Sequence, residues 1–74
     1  MLLSQLENGA RAKVLKIYLS EKIKARLSNI GLTCGVVVEM VRRAPFGDPV
    51  EIKLRDFYLA IRALQAQKIE VEKI

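Results

Sequence analysis

Apolar and polar residues alternate along much of the chain, and this two-residue period predicts short β-strands. The alternation is cleanest where Val50, Ile52 and Leu54 are separated by charged residues, which indicates a strand with one buried and one solvated face. Ile69 and Val71 alternate with glutamates in the same way near the end of the sequence. Each of these segments is therefore expected to pack one face on a core.

Three further segments predict strands with less regular patterns. In residues 12–19 the alternation slips phase between Val14 and Ile17, and a β-bulge would explain the slip. Residues 36–41 are apolar in both phases, which indicates a strand that is partly covered on both faces. Residues 58–62 predict a strand that completes a hairpin with the strand before it.

One segment has the period of a helix. Ser20 is a preferred N-cap residue, and Ile23, Leu27 and Ile30 then recur at i, i+4 and i+7 on one apolar face. Gly31 is expected to end the helix at the C′ position, where a left-handed conformation is common. The sequence therefore predicts one α-helix inserted between the first two strands.

Two shorter helical turns are also predicted. Ser4 and Glu7 have the spacing of a capping box, so one helical turn should follow Ser4 and end at Gly9. Residues 63–67 are strong helix formers, but the segment is long enough for only about one turn.

Two connections between strands carry turn residues. Arg55 and Asp56 form a tight turn in which Asp56 is expected to adopt a positive φ. Pro45 and Pro49 bracket a corner, where neither proline has to donate to a ladder and Gly47 supplies a conformation that other residues avoid. Both connections are short, so they join antiparallel strands.

These elements define the expected fold. About five short strands with one inserted helix leave exposed edges in a flat sheet, and closure into a small barrel avoids them. The prediction is a mainly β fold, a small SH3-like barrel with one inserted α-helix and short helical turns. Residues 1–74 are expected to form a single domain, since the sequence shows no repeats, linkers or low-complexity tracts.

Composition places limits on compartment and partners. Thirteen Lys and Arg residues against eight Asp and Glu residues give a net charge of +5, which favours anionic partners without choosing among them. Cys34 has no second cysteine to pair with, which suggests a reducing compartment. The sequence has neither a secretory signal nor an apolar run of about 18 residues, so we expect a cytoplasmic protein without membrane insertion.

The residues needed for common catalytic and metal sites are scarce. The chain has no histidine, so Cys34 lacks the usual general base and the commonest metal ligand is missing. Glu39, Asp48 and Glu51 offer oxygen ligands, but they fit a hairpin of outward-facing, solvated charges. The sequence therefore predicts no catalytic, cofactor-binding or metal-binding residue, and no enzyme.

Two surfaces are candidates for binding another protein. The outer side of the predicted helix carries three basic residues, and Phe46 lies at the tip of the proline corner. The candidate partner-binding residues are Lys22, Lys24, Arg26, Pro45, Phe46 and Pro49. For the basic residues, a merely solvated helix face is the competing interpretation. Aromatic residues are not interleaved with the basic ones, so no nucleic-acid partner is expected.

Three short motifs lie in the first two thirds of the chain. The motif R-R-A-P-x-G-D-P stands at residues 42–49 and is followed by the alternating Val50, Ile52 and Leu54. Residues 30–35 match a turn of the form L-G-L-x-P-G, and Leu3, Leu6 and Gly9 match an opening L-x-x-L-x-x-G. With these motifs the chain closely resembles the FeoA family of bacterial ferrous iron uptake, and the resemblance covers nearly the whole chain.

This resemblance implies an SH3-like barrel that is an accessory to FeoB, the membrane ferrous iron transporter with a cytoplasmic GTP-binding domain. FeoB's cytoplasmic part would then be the partner, and the protein would be recruited to the inner face of the cell membrane. The sequence departs from the family at Cys34, where Pro is usual, at Asp56, where Gly is common, and at Leu64 and Gln65, where Ser-Glu is common. The last departure changes the surface of the short second helix.

Two other functions remain open at this point. One is a stand-alone SH3-like module in metal-linked regulation, similar to the C-terminal module of iron-dependent repressors; a repressor also needs a DNA-binding helix-turn-helix, for which 74 residues leave no room. The other is a small basic RNA-binding barrel whose affinity falls steeply with salt. Its contact residues would be Lys22, Lys24, Arg26, Arg42 and Arg43.

Overall fold

A computed structural model describes all residues from Met1 to Ile74 and contains five strands. The strands are β1 (Arg11–Ile17), β2 (Val37–Arg43), β3 (Val50–Leu54), β4 (Phe57–Ile61) and β5 (Ile69–Lys73). The helices are α1 (Glu21–Asn29) and α2 (Ala63–Ala66), and a 3₁₀ turn spans Leu3–Gln5. Neither helix is long and apolar enough to cross a membrane.

All strand pairs are antiparallel, and the sheet has the order β4-β3-β2-β1-β5. The mainly β fold with one inserted helix is thus confirmed. The ladder does not close between β4 and β5, which remain the two edges, so the sheet is part of a compact fold and not a fully hydrogen-bonded barrel. At β5 the edge is partly covered, because Leu2 forms an isolated bridge with Glu70.

The core lies against one face of the sheet and contains only apolar residues. Val50, Ile52 and Leu54 are all buried, and so are Ile69 and Val71, which confirms the inward phase predicted for both strands. Every buried side-chain nitrogen and oxygen has a hydrogen-bond partner. The packing therefore carries no free-energy cost from a buried polar side chain without a hydrogen bond.

The predicted β-bulge in the first strand is confirmed. The pairing of β1 with β5 shifts register between Val14 and Lys16, although the strand ends at Ile17 and not at Leu19. A second shift lies in β2 between Met40 and Arg42. The sequence did not indicate it, because β2 is apolar in both phases and a slip leaves such a pattern unchanged.

The boundaries of α1 also agree with the sequence. The Ser20 Oγ accepts a hydrogen bond from the Ile23 backbone N–H at 3.3 Å, and Gly31 has a φ of 96° at the C′ position. Leu27 is buried and Ile23 is half-buried, but Ile30 is 40% exposed. Ile30 is the C-cap, so it has left the helical path that would carry it onto the apolar face.

Two local predictions are wrong in detail. The first helical turn lies at Leu3–Gln5, where the Gln5 Oε1 accepts from the Leu2 backbone N–H at 2.8 Å, and Ser4 lies inside the turn without capping it. Burial of the two flanking leucines, Leu3 and Leu6, explains this placement. In the β3–β4 hairpin the positive φ, 56°, belongs to Arg55 and not to Asp56.

Candidate docking surfaces

The proline corner connects β2 to β3 and is held by its own backbone. The Ala44 N–H donates to the Pro49 carbonyl at 3.0 Å, and the Gly47 N–H donates to the Ala44 carbonyl at 2.7 Å. Gly47 has a φ of 85°, a conformation that costs a residue with a Cβ atom strain. Both prolines lie outside the ladders, as the sequence predicted.

Phe46 is 99% exposed at the tip of this corner. Pro45 and Pro49 on either side of it are exposed as well. A fully solvated phenylalanine gains nothing from the fold, whereas burial in a complex would recover its whole apolar surface. The backbone around it is already ordered, so less entropy would be lost on binding than for a mobile loop.

Asp48 attaches the corner to the start of α2. Its Oδ1 accepts a hydrogen bond from the Ala63 backbone N–H at 3.0 Å, and its Oδ2 lies 3.9 Å from the Arg62 Nη1. The carboxylate thereby satisfies one of the free donors at a helix N-terminus. Asp48 is thus a structural residue of the corner in addition to being a surface acid.

The three basic residues of α1 do not form one strip. At about 100° per residue, Lys22 and Arg26 share a face of the helix and Lys24 lies about 160° away from Lys22. Lys22 and Arg26 are exposed, whereas Lys24 is half-buried with its Nζ 3.6 Å from a Glu21 oxygen. No hydrogen bond or ion pair joins these residues to the proline corner.

Arg42 and Arg43 are both engaged within the molecule. The Arg43 guanidinium donates to the carbonyl oxygens of Ser4 and Leu6 at 2.7 and 2.8 Å and to the Asn8 Oδ1 at 2.8 Å. The Arg42 Nε donates to a Glu51 carboxylate oxygen at 2.7 Å. An RNA surface built from the five basic residues would have to give up the Arg43 contacts.

Ionisable side chains elsewhere do not gather into a metal site. No group of three or more Cys, Asp or Glu residues lies close enough to hold an ion. Glu39, Asp48 and Glu51 are spread over β2, the corner and β3. Cys34 is exposed and lines a groove of about 320 Å³ between α1 and the following turn, and Lys24 is among the other lining residues.

Two shifted pKa values reflect contacts far from the candidate surfaces. The Lys73 Nζ donates to the Glu7 carboxylate at 2.6 Å, and this hydrogen bond with its positive charge lowers the pKa of Glu7. The Tyr18 hydroxyl donates to Glu70 at 2.9 Å, which raises the pKa of Tyr18. Each pair joins a residue of β5, Glu70 or Lys73, to a residue in the first quarter of the chain.

Sequence reasoning missed one exposed surface. On β4, Phe57 is 41% and Tyr58 is 58% exposed, and Ala60 is exposed as well. The signal was present, because no charged residue occurs between Asp56 and Arg62. Alternation in that segment indicates only which side faces inward.

The fold defines a small SH3-like module with an exposed apolar corner between β2 and β3. The FeoA domain model matches residues 1–73. The chain therefore belongs to the FeoA family, which is related to ferrous iron transport, and the resemblance drawn from residues 30–35 and 42–49 is confirmed.

Solved structures agree with this assignment. The FeoA protein from Chlorobium tepidum is 34% identical and superposes with a TM-score of 0.95 over all of this chain and 70% of its own. The FeoA of Stenotrophomonas maltophilia, a procaryotic SH3 domain protein solved in complex with zinc, is 28% identical. Its TM-score is 0.77 over 97% of this chain and 89% of its own.

One relative carries a second domain type. The Fe(2+) transport protein A/Fe(2+) transporter FeoB fusion protein of Porphyromonas gingivalis is 32% identical over 74 residues. The match takes in this whole chain but only 9% of the fusion protein's length. In that organism, therefore, a domain similar to this chain is part of the same polypeptide as the FeoB transporter.

Proposed function

We propose that the protein is an accessory component of bacterial ferrous iron uptake that binds the cytoplasmic part of FeoB. The observation that carries the proposal is the fusion protein, in which a similar domain and the transporter form one chain. Fusion keeps two domains at a high effective concentration, so that even a weak contact between them is formed most of the time. Such a link is useful when the two domains act together. When the two are separate proteins, a docking surface has to replace the covalent link.

The proline corner is the proposed anchor of that docking surface. Phe46 is solvated at the tip of a loop that Gly47 and Asp48 hold in place. Aromatic residues with these properties often contribute most of the binding energy in an interface. Pro45 and Pro49 extend the apolar contact on either side.

The basic residues of α1 are proposed to steer the approach to the transporter. Lys22 and Arg26 share one exposed face and are the main contributors, while Lys24 lies on another side of the helix. Exposed charges affect the association rate and its salt dependence more than the final affinity. The protein would work in the cytoplasm at the inner face of the membrane, by contact alone, without catalysis or a cofactor.

Binding to the purified cytoplasmic part of FeoB tests the anchor. Phe46→Ala should weaken binding about fivefold or more, because a central aromatic residue is lost. Ile74→Ala is the matched control, since Ile74 is also an exposed apolar residue but follows the last residue of β5. Equal affinity of wild type and Phe46→Ala would remove the corner from the docking surface.

A charge reversal tests the steering. At low ionic strength the double variant Lys22→Glu and Arg26→Glu should associate more slowly than wild type, and adding Lys24→Glu should change little more. Arg55→Glu with Lys68→Glu changes the net charge equally, in the β3–β4 turn and in the turn before β5, and serves as control. If both double variants slow association alike, net charge is responsible and the α1 face is only solvated.

A further inference from the structure

The two edges of the sheet differ in how far other segments of the chain cover them. Along β5, the Leu2 bridge to Glu70 and a 2.8 Å hydrogen bond from the Val71 N–H to the Met1 carbonyl cover part of the edge. On the opposite edge, β4 pairs with β3 on one side and with no strand on the other. An uncovered edge offers unpaired backbone groups to another strand.

The register of the hairpin shows which backbone groups are free. Leu54 and Phe57 flank a two-residue turn, so they form a hydrogen-bonded pair, and every second pair along the ladder does the same. The N–H and C=O groups of Tyr58 and Ala60 therefore point away from β3. Neither residue makes a backbone hydrogen bond to a turn, loop or cap.

The free edge also lacks the features that usually prevent strand addition. Its five residues, Phe57–Ile61, include no charge and no proline, whereas natural edges often carry lysine or proline. Charges occur only at the two ends, with Asp56 before the strand and Arg62 after it; Arg62 is exposed, and its Nη1 lies 3.9 Å from Asp48 of the same chain. These end charges are opposite in sign.

We propose that β4 pairs in antiparallel fashion with β4 of a second copy of this chain, about a twofold axis at Leu59. Tyr58 then lies opposite Ala60 of the second copy, and each such pair exchanges both backbone hydrogen bonds. The registers centred on Tyr58 or Ala60 also align the free backbone groups. Only the register centred on Leu59 places Asp56 opposite Arg62 of the second copy, so charge complementarity selects it.

The side chains suit the same register. On the outer face the large Tyr58 lies opposite the small Ala60, and on the inner face Phe57 lies opposite Ile61. Phe57 and Tyr58, now 41% and 58% exposed, would lose part of that exposure. A five-residue edge buries far less than the roughly 1,600 Å² of a standard interface. The dimer should therefore be weak, with a dissociation constant in the high micromolar range.

Removal of a free backbone donor is the first test. Ala60→Pro deletes an outward N–H that β3 does not use, a position where edge strands tolerate proline. Ala60→Thr keeps the N–H and is the matched control. In sedimentation equilibrium over a concentration series, wild type and Ala60→Thr should gain mass with concentration, while Ala60→Pro stays monomeric with an unchanged circular dichroism spectrum.

The second test reverses the charges at the two ends of β4 and determines the register. Asp56→Lys alone and Arg62→Glu alone each place like charges opposite one another, which should weaken self-association about tenfold. In an equimolar mixture of the two variants, the introduced lysine lies opposite the introduced glutamate, and the native Arg62 lies opposite the native Asp56. The mixture should regain association as a heterodimer.

Three results would overturn the proposal. One is a wild type that stays monomeric throughout the series, and another is an Ala60→Pro variant that associates as strongly as wild type. The third is a charge mixture that associates no better than its components, because another register or surface would then be in use. If wild type is monomeric and Ala60→Pro loses only its binding to FeoB, the edge accepts a strand of the transporter instead.

Discussion

At the scale of single residues, adjacent positions of the proline corner have different roles, one in the stability of the fold and one in binding. Gly47 determines the path of the backbone through its φ of 85°, whereas Phe46 lies outside the fold and is 99% exposed. Asp48 then holds the path by accepting the Ala63 N–H. The first role concerns stability and the second concerns binding, so mutations at adjacent positions should have different effects.

Gly47→Val should cost more stability than Phe46→Ala. A Cβ atom at Gly47 meets no neighbour within 4 Å, so the cost comes from backbone strain alone and should be about 1–2 kcal/mol or more for a β-branched residue. Phe46→Ala should change the free energy of unfolding by less than about 0.5 kcal/mol. Urea denaturation of both variants measures the difference.

Gly47→Asn is the control for this comparison, because asparagine tolerates positive φ better than valine and should be intermediate. A Phe46→Ala variant that is less stable than Gly47→Val would contradict the assignment of Phe46 to the surface. It would also remove the aromatic anchor from the proposed contact with FeoB.

At the scale of elements, the N-terminal turn is joined to the sheet by polar contacts that span most of the chain. Arg43 on β2 holds the Ser4 and Leu6 carbonyls, and Lys73 on β5 binds the Glu7 carboxylate. The first connection does not depend on titration of an acid, but the second does. The attachment of the turn should therefore depend in part on pH.

Glu7→Gln should reduce stability at neutral pH but not in acid. Because Lys73 lowers the pKa of Glu7 in the folded protein, the carboxylate stabilises the fold above the unfolded pKa of 4.5. That contribution is lost as the pH falls through the lowered folded pKa. The gap in unfolding free energy between wild type and Glu7→Gln should thus close as the pH is lowered from neutrality through the lowered folded pKa of Glu7 in urea titrations.

Glu72→Gln supplies the control for a change in net charge, since Glu72 is exposed on β5 and makes no ion pair. A gap between wild type and Glu7→Gln of the same size at pH 7 and pH 3 would show that the Lys73 contact does not contribute. Added salt should also narrow the gap at neutral pH, because the pair is exposed and therefore screened.

At the scale of the whole molecule, the distribution of acids bears on metal binding. Asp48 is hydrogen-bonded to α2 and Glu51 to Arg42, while Glu39 lies on β2 away from the corner. An ion bound by one copy would have to draw Asp48 and Glu51 from their partners and bring Glu39 to the same place. Ferrous iron generally needs several imidazole or carboxylate ligands in one place.

We expect that a monomer of this protein does not bind Fe(II) tightly. Anaerobic isothermal titration should show no one-to-one dissociation constant in the low micromolar range or below. A value in that range would contradict the expectation and would point to ligands that rearrange on binding. An ion shared between two copies would not contradict the expectation. Titration at several protein concentrations distinguishes binding by one copy from binding between two copies.

Much of the local structure followed from the sequence, because it depends on residues close together in the chain. The two-residue period placed Val50, Ile52 and Leu54 in the core, and the phase slip after Val14 marked the bulge. Ser20 and Gly31 marked the ends of α1 in the same way, through capping and positive φ. The corner motif further identified the family.

Only the tertiary structure decided which strands became edges and which charges stayed free. The strand order leaves β4 uncovered and β5 partly covered, a choice that depends on contacts between distant segments. For the same reason the sequence could not show that Arg43 reaches the Ser4 and Leu6 carbonyls, 39 and 37 residues away. Periodicity reports which side of an element is apolar, but the chain's path in space determines what covers the other side.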